Sequence, residues 1–142
     1  MTEPVAEAPP TVLRVAVGVW LAAGVFGLFN VLYLWWRRAE LRDIALREGL
    51  ATPEGVDAAI TTLVVQLTIA GVLFTAAYGL FGLLLRRRRR WARLALMLVG
   101  ALHLLWVVLP GVNAGNLITV LLIGTGFALT WRPATSHWLK EQ

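Results

Sequence analysis

The chain has 142 residues, 58% of them hydrophobic, with a formal net charge of +5 and no cysteine. That hydrophobic share exceeds the ~45–50% usual for soluble domains and falls in long blocks, which a soluble domain of this size has too little interior to hide. The missing cysteines exclude disulfides, thiol catalysis, lipobox acylation and cysteine metal sites, and the basic excess is carried by twelve arginines and one lysine.

The leader "MTEPVAEAPPTVLR" holds Glu3 and Glu7 against only Arg14, a poor cationic region for a cleaved signal. Residues 1–11 read as a short disordered tail rich in Pro and Ala. The apolar run Val15–Trp36 is about twice a typical signal core and reads as a retained span. A helix needs ~20 apolar residues to cross ~30 Å of hydrocarbon, and three further runs meet that length: Ala59–Leu85, Trp91–Leu109 and Val112–Trp131. Strands of a closed barrel would alternate polar and apolar residues, which these continuous runs do not. The expectation is therefore a single all-α domain, a four-helix transmembrane bundle.

Between the first two spans, residues 37–57 form the main polar segment. Leu41, Ile44 and Ala45 make a narrow apolar stripe at helical spacing, Asp43 and Arg47 are placed to pair at i,i+4, and Gly49 is placed to end the helix. Thr52 and Pro53 then read as N-cap and first residue of the next helix. The segment is expected either to lie on the membrane surface or to dock a partner outside it.

The second and third spans are separated by "RRRRR", Arg86 to Arg90, followed by Arg93. Only these five residues lie between Leu85 and Trp91, too few for an arm that reaches nucleic acid. At headgroup depth, each of Arg86, Arg87, Arg88, Arg89, Arg90 and Arg93 can contact anionic lipid, worth about 1 kcal/mol apiece. By the positive-inside rule the turn stays cytoplasmic, and alternation puts both termini there as well. Nine Lys and Arg then lie inside (Arg14, the six above, Arg132 and Lys140) against four outside (Arg37, Arg38, Arg42, Arg47). All seven tryptophans fall near an expected span end, as an interfacial belt requires.

Helices in lipid associate through small residues and hydrogen bonds. In the second span Thr61, Thr68, Thr75 and Gly82 recur every seven residues, with Gly71 and Gly79 on the same strip. Ala23 and Gly27 in the first span, and Gly124 and Ala128 in the fourth, are expected to do similar work. Four polar residues, one per span, fall at one depth: Asn30, Gln66, His103 and Thr119. Asn30 and His103 each lie six residues from a span end, roughly 9 Å deep. These four either hydrogen-bond one another across the bundle or form a ligand site that opens outward.

No Asp or Glu lies within a span, which argues against proton- or cation-coupled export through a buried carboxylate. No phosphate loop, His-Glu-x-x-His or activated nucleophile is present, so no enzyme, no metal and no cofactor are expected. One chain does not offer two haem ligands, because His137 lies at the membrane face opposite His103.

From about Val56 to Leu139, on "RRRRRWARLAL" and "RPATSHWL", the chain resembles small four-span membrane proteins of high-GC actinobacteria. The resemblance implies a bacterial plasma-membrane location and no functional residues. With many packing surfaces and little visible chemistry, the expected role is an accessory or scaffolding subunit with an integral membrane partner or a second copy. The alternative is a binder or transporter of a lipid or other apolar molecule at the Asn30–Gln66–His103–Thr119 layer.

Overall fold

The computed structural model describes residues 8–109 and 114–140. The expected N-terminal tail up to residue 7, and residues 110–113, where the fourth span is expected to begin, lie outside the described residues. Among the described residues, six helices follow in order: α1 Thr11–Trp36, α2 Arg38–Arg47, α3 Val56–Arg86, α4 Arg90–Val108, α5 Ala114–Thr130 and α6 Pro133–Lys140. No strand occurs among the described residues. Helices α1, α3 and α4 are long and apolar enough to cross a membrane, and a fourth span is reached if α5 and α6, bent by 53°, count as one.

The four long helices form a ring in which α1 and α4 each pack against both α3 and α5. Many large apolar side chains point out of this ring, including Phe29, Leu32, Leu73, Leu98, Leu102 and Leu121. Monomeric soluble proteins rarely tolerate so large an apolar exterior. Hydrocarbon removes the penalty, and close packing then supplies the cohesion between helices.

The seven-residue strip on α3 is the seam with α1, continued at Thr61 by the first residue of α2. Arg38 Nη2 donates to Thr61 Oγ1 at 2.8 Å, Trp35 Nε1 donates to Thr68 Oγ1 at 3.0 Å, and Thr75 Oγ1 reaches the Gly24 carbonyl at 3.0 Å. Each of these hydroxyls also donates within α3, to the carbonyl four residues back. Thr61 and Thr68 thereby satisfy their hydrogen locally and offer oxygen to a neighbouring donor, whereas the single Thr75 hydrogen is shared between the carbonyls of Gly71 and Gly24. At Gly24 an added Cβ would lie 3.0 Å from the Thr75 Cα, so glycine sets the closest approach of the two backbones.

The half of the bundle near the arginines is filled by Trp20, Tyr78, Leu13, Leu85, Leu96 and Ile123, all fully buried. Trp20 was expected at an interface. Instead it lies in the core, its ring 5.1 Å from that of Tyr78 and tilted 35° to it, edge-on to Phe127 at 5.3 Å, with Nε1 donating to Thr130 Oγ1 at 3.1 Å. Gly100 and Gly126 make room for it, since a Cβ on either would stand 2.8 Å from the indole. The pairing expected of Gly124 and Ala128 does not form: both are exposed, and Gly124 has nothing within 4 Å of its would-be Cβ.

Two turns use the same device. After α2, Gly49 takes a φ of +66°, with Leu50 N bonded to the Ala45 carbonyl and Gly49 N to the Leu46 carbonyl. After α3, Arg88 takes a φ of +62°, with Arg89 N on the Leu84 carbonyl and Arg88 N on the Leu85 carbonyl. Both are Schellman motifs, which need a left-handed residue one past the cap. The glycine was expected; the second motif places arginine where glycine is the usual residue. Thr52 opens the following turn through its carbonyl, which accepts from Gly55 and Val56, and its side chain caps nothing. Asp43 and Arg47 make no ion pair; Arg42 pairs with Asp57 at 3.2 Å instead, and Ala45 is the one buried residue of α2.

Residues 133–140 form a further helix that packs on the bundle. Pro133 starts α6, which buries Thr135, Trp138 and Leu139 against the arginine end of the ring. The arginines hold it there. Arg90 Nε donates to the Leu139 carbonyl at 2.7 Å, Arg93 Nη1 to Ser136 Oγ at 3.2 Å, and the Arg88 guanidinium lies 3.7 Å from the centre of the Trp138 ring. Of the six arginines expected at headgroups, Arg88, Arg90 and Arg93 are thus engaged with α6, while Arg86, Arg87 and Arg89 are exposed.

Candidate functional site

At the end of the bundle opposite the arginine turn, the ring opens around a cavity of about 900 Å3. All four long helices contribute to its wall, and each contributes the polar residue that sequence depth singled out: Asn30 from α1, Gln66 from α3, His103 from α4 and Thr119 from α5. The remaining wall is mostly apolar, with Leu34, Leu67, Phe74 and Trp106. A cavity of this size, mainly apolar with a few convergent polar groups, has the form of a small-molecule site.

The space has a local cause. Where the arginine half has Trp20 and Tyr78, this half has Gly27, Ala70, Gly71 and Gly115 on inward positions. A Cβ on Gly27 would meet nothing within 4 Å. Small residues that elsewhere bring helices together here leave a gap.

The four polar side chains share the cavity without bonding one another. Among the described residues, no hydrogen bond joins any two of Asn30, Gln66, His103 and Thr119. The interhelical network that was the simpler expectation is not what brings them together. His103 instead bonds downward, its Nδ1 2.9 Å from the Tyr78 hydroxyl. Its ring stacks on Phe74 at 4.2 Å, with 9° between the planes. Nothing in the sequence reading pointed to Tyr78; its seven-residue offset from Gly71, on the inward face of α3, was the available signal.

The histidine tautomer follows from the network. Tyr78 is fully buried, and among the described residues His103 is its only side-chain hydrogen-bond partner. A phenol hydrogen without an acceptor would be a costly orphan, so the Tyr78 O–H donates to Nδ1. In the neutral ring the proton then sits on Nε2 as a donor, and Nε2 has no hydrogen bond to a described residue. Asn30 and Gln66 add amide donors and acceptors, and Thr119 a hydroxyl. At the mouth, Arg37 lines the cavity, donates to the Tyr33 hydroxyl at 2.8 Å and is paired with Glu40. Its charge is therefore largely answered within the chain.

This wall supports hydrogen bonding to a bound molecule. It holds no carboxylate, and among the described residues no group of three or more His, Cys, Asp or Glu is placed to hold a metal ion. No family model matches the chain, and neither curated proteins nor solved structures provide a match.

Proposed function

We propose that this protein is a multi-pass membrane protein that binds an amphipathic small molecule, a lipid or similar, in the cavity between its four long helices. The single observation that carries this reading is that four polar side chains, one from each helix, line one cavity without hydrogen-bonding each other. Polar groups at membrane depth are expensive unless satisfied, and a ligand with a carbonyl or hydroxyl group would satisfy them. The apolar remainder of the wall would take its hydrocarbon or ring portion.

In this reading the chain spans a bacterial plasma membrane four times with both termini cytoplasmic. The exposed Arg86, Arg87 and Arg89 lie among anionic headgroups on the inner side, and the cavity opens to the outer leaflet. The protein is not an enzyme; it holds or hands on its ligand. The cavity supports a ligand binder over the accessory-subunit role that the scarcity of chemistry in the sequence suggests.

The test is native mass spectrometry of the full chain extracted from its own membrane, with Gly27→Leu as the cavity-filling variant. The wild type is expected to carry a small molecule that Gly27→Leu lacks, with the fold intact by circular dichroism. Equal ligand retention by both would reject the cavity as the site. A stoichiometric protein partner retained equally by both would favour the accessory subunit.

A further inference from the structure

A second cavity, of about 270 Å3, lies at the arginine end, with Arg90, Arg93, Trp131, Ser136 and Lys140 in its wall. Taking ~30 Å3 as the share of one water in the liquid, it has room for a phosphate and the carbons next to it. Arg93 is the unusual member. Its guanidinium lies 3.8 Å from the centre of the Trp131 ring, and Nη1 donates to Ser136. Its Nε and Nη2 are buried with no hydrogen-bond partner. These two nitrogens share one edge of the planar fork, the edge that takes two oxygens of one phosphate side by side.

Buried charges are normally paired, and no carboxylate of the described residues is near. All of them lie between Glu40 and Asp57, on α2, the turn after it and the first turn of α3, at the other end of the bundle. Arg90 spends its donors on the carbonyls of Leu139 and Lys140, which fixes α6 without cancelling any charge. Among the described residues, three cations, one hydroxyl and no acid therefore surround one concavity, an arrangement that concentrates positive potential. Basic pockets between helices near the cytoplasmic face are suited to anionic headgroups.

We propose that Arg90, Arg93, Ser136 and Lys140 form a binding site for a phosphate group. The Nε–Nη2 edge of Arg93 takes two oxygens, the Ser136 hydroxyl donates to a third, and Lys140 at the exposed rim adds charge. The Arg93 edge is covered from solvent, so the phosphate reaches it from the adjoining cavity with a small outward shift of α6. The phosphate belongs either to an anionic lipid or to a soluble phosphate species. This site is separate from the cavity at the other end and does not depend on what binds there.

The test places the full chain in phosphatidylcholine nanodiscs and titrates phosphatidylglycerol, with bound lipid counted by native mass spectrometry. One phosphatidylglycerol is expected to be held above the background. Arg93→Gln should weaken it by about tenfold or more, as loss of a bidentate charge-assisted contact implies. Lys140→Gln should weaken it by about fivefold, the worth of one basic residue. Lys140 is exposed, so its variant carries the test even if Arg93→Gln fails to fold. The triple variant Arg86→Gln, Arg87→Gln, Arg89→Gln should leave the specific site occupied. If that triple variant weakens binding as much as Arg93→Gln does, or if Lys140→Gln has no effect, the pocket is not the site. Excess inorganic phosphate added to the same discs separates the sources: displacement of the lipid supports a soluble phosphate, retention supports the lipid headgroup.

Discussion

Tyr78 on α3 and His103 on α4 are each other's hydrogen-bond partner, 2.9 Å apart, at the boundary between the filled half of the bundle and the cavity. The phenol closes the core beneath, and the imidazole forms part of the cavity wall above it. The histidine is thus both a structural partner and a candidate ligand contact, and replacing it disturbs both.

His103→Leu alone is expected to destabilise the protein by about 1–3 kcal/mol, because the buried Tyr78 hydroxyl loses its acceptor. Tyr78→Phe combined with His103→Leu should recover most of that loss, since neither partner is then left orphaned. Unfolding in mixed micelles across the two single variants and the double variant measures the coupling. Additive losses would show that the pair contributes nothing to stability.

Glycine positions separate the packed half from the open half. Gly100→Ala and Gly126→Ala each drive a methyl to 2.8 Å from Trp20 and should cost about 1–3 kcal/mol by overpacking. Gly124→Ala meets nothing within 4 Å and should be neutral or stabilising by up to about 1 kcal/mol through helix propensity. Thermal unfolding of the three variants in one detergent checks the ranking.

The α1–α3 seam is predicted to be sensitive at Gly24. Gly24→Val would force branched carbons against the Thr75 backbone, only 3.0 Å from the first added atom. Separation of the helices should lower the melting temperature and break the Thr75–Gly24 contact. Thr61→Val, farther along the same seam and at a partly exposed bond, should lose less than about 1 kcal/mol.

Ending the chain after Arg132 removes α6 and the acceptors of Arg90 and Arg93. It also takes Trp138 and Leu139 out of the buried core cluster, so part of the α1 surface against which α6 packs would be uncovered. The truncated chain should insert and remain helical yet unfold at lower temperature than the full chain. An unchanged melting temperature would show that α6 adds nothing to the bundle.

Exposed ion pairs in the polar segment are predicted to be weak. Arg42 and Asp57 are both solvent-exposed, so Asp57→Asn should change stability by less than about 1 kcal/mol. Raising the salt concentration should change it by no more than the substitution does.

The sequence by itself determined the helical class, the bounds of the long helices to within a few residues, and the common level along them at which Asn30, Gln66, His103 and Thr119 lie. These follow from properties local to a segment: apolar length, the fixed rise of a helix and the period of the threonine strip. Gly49 was legible for the same reason, since one left-handed residue suffices to end a helix.

Only the tertiary structure decided what those residues face. Depth in a span is a length along one axis, whereas meeting a neighbour depends on rotation about it. Tryptophan content said that Trp20 was large, not that Gly100 and Gly126 would clear a place for it in the core. The arginine run was legible as a turn, but the use of Arg88, Arg90 and Arg93 to hold α6 depends on the 53° bend that brings the chain end back. The cavity, too, is a property of four helices together: small side chains draw two helices close in one half and leave a gap among four in the other.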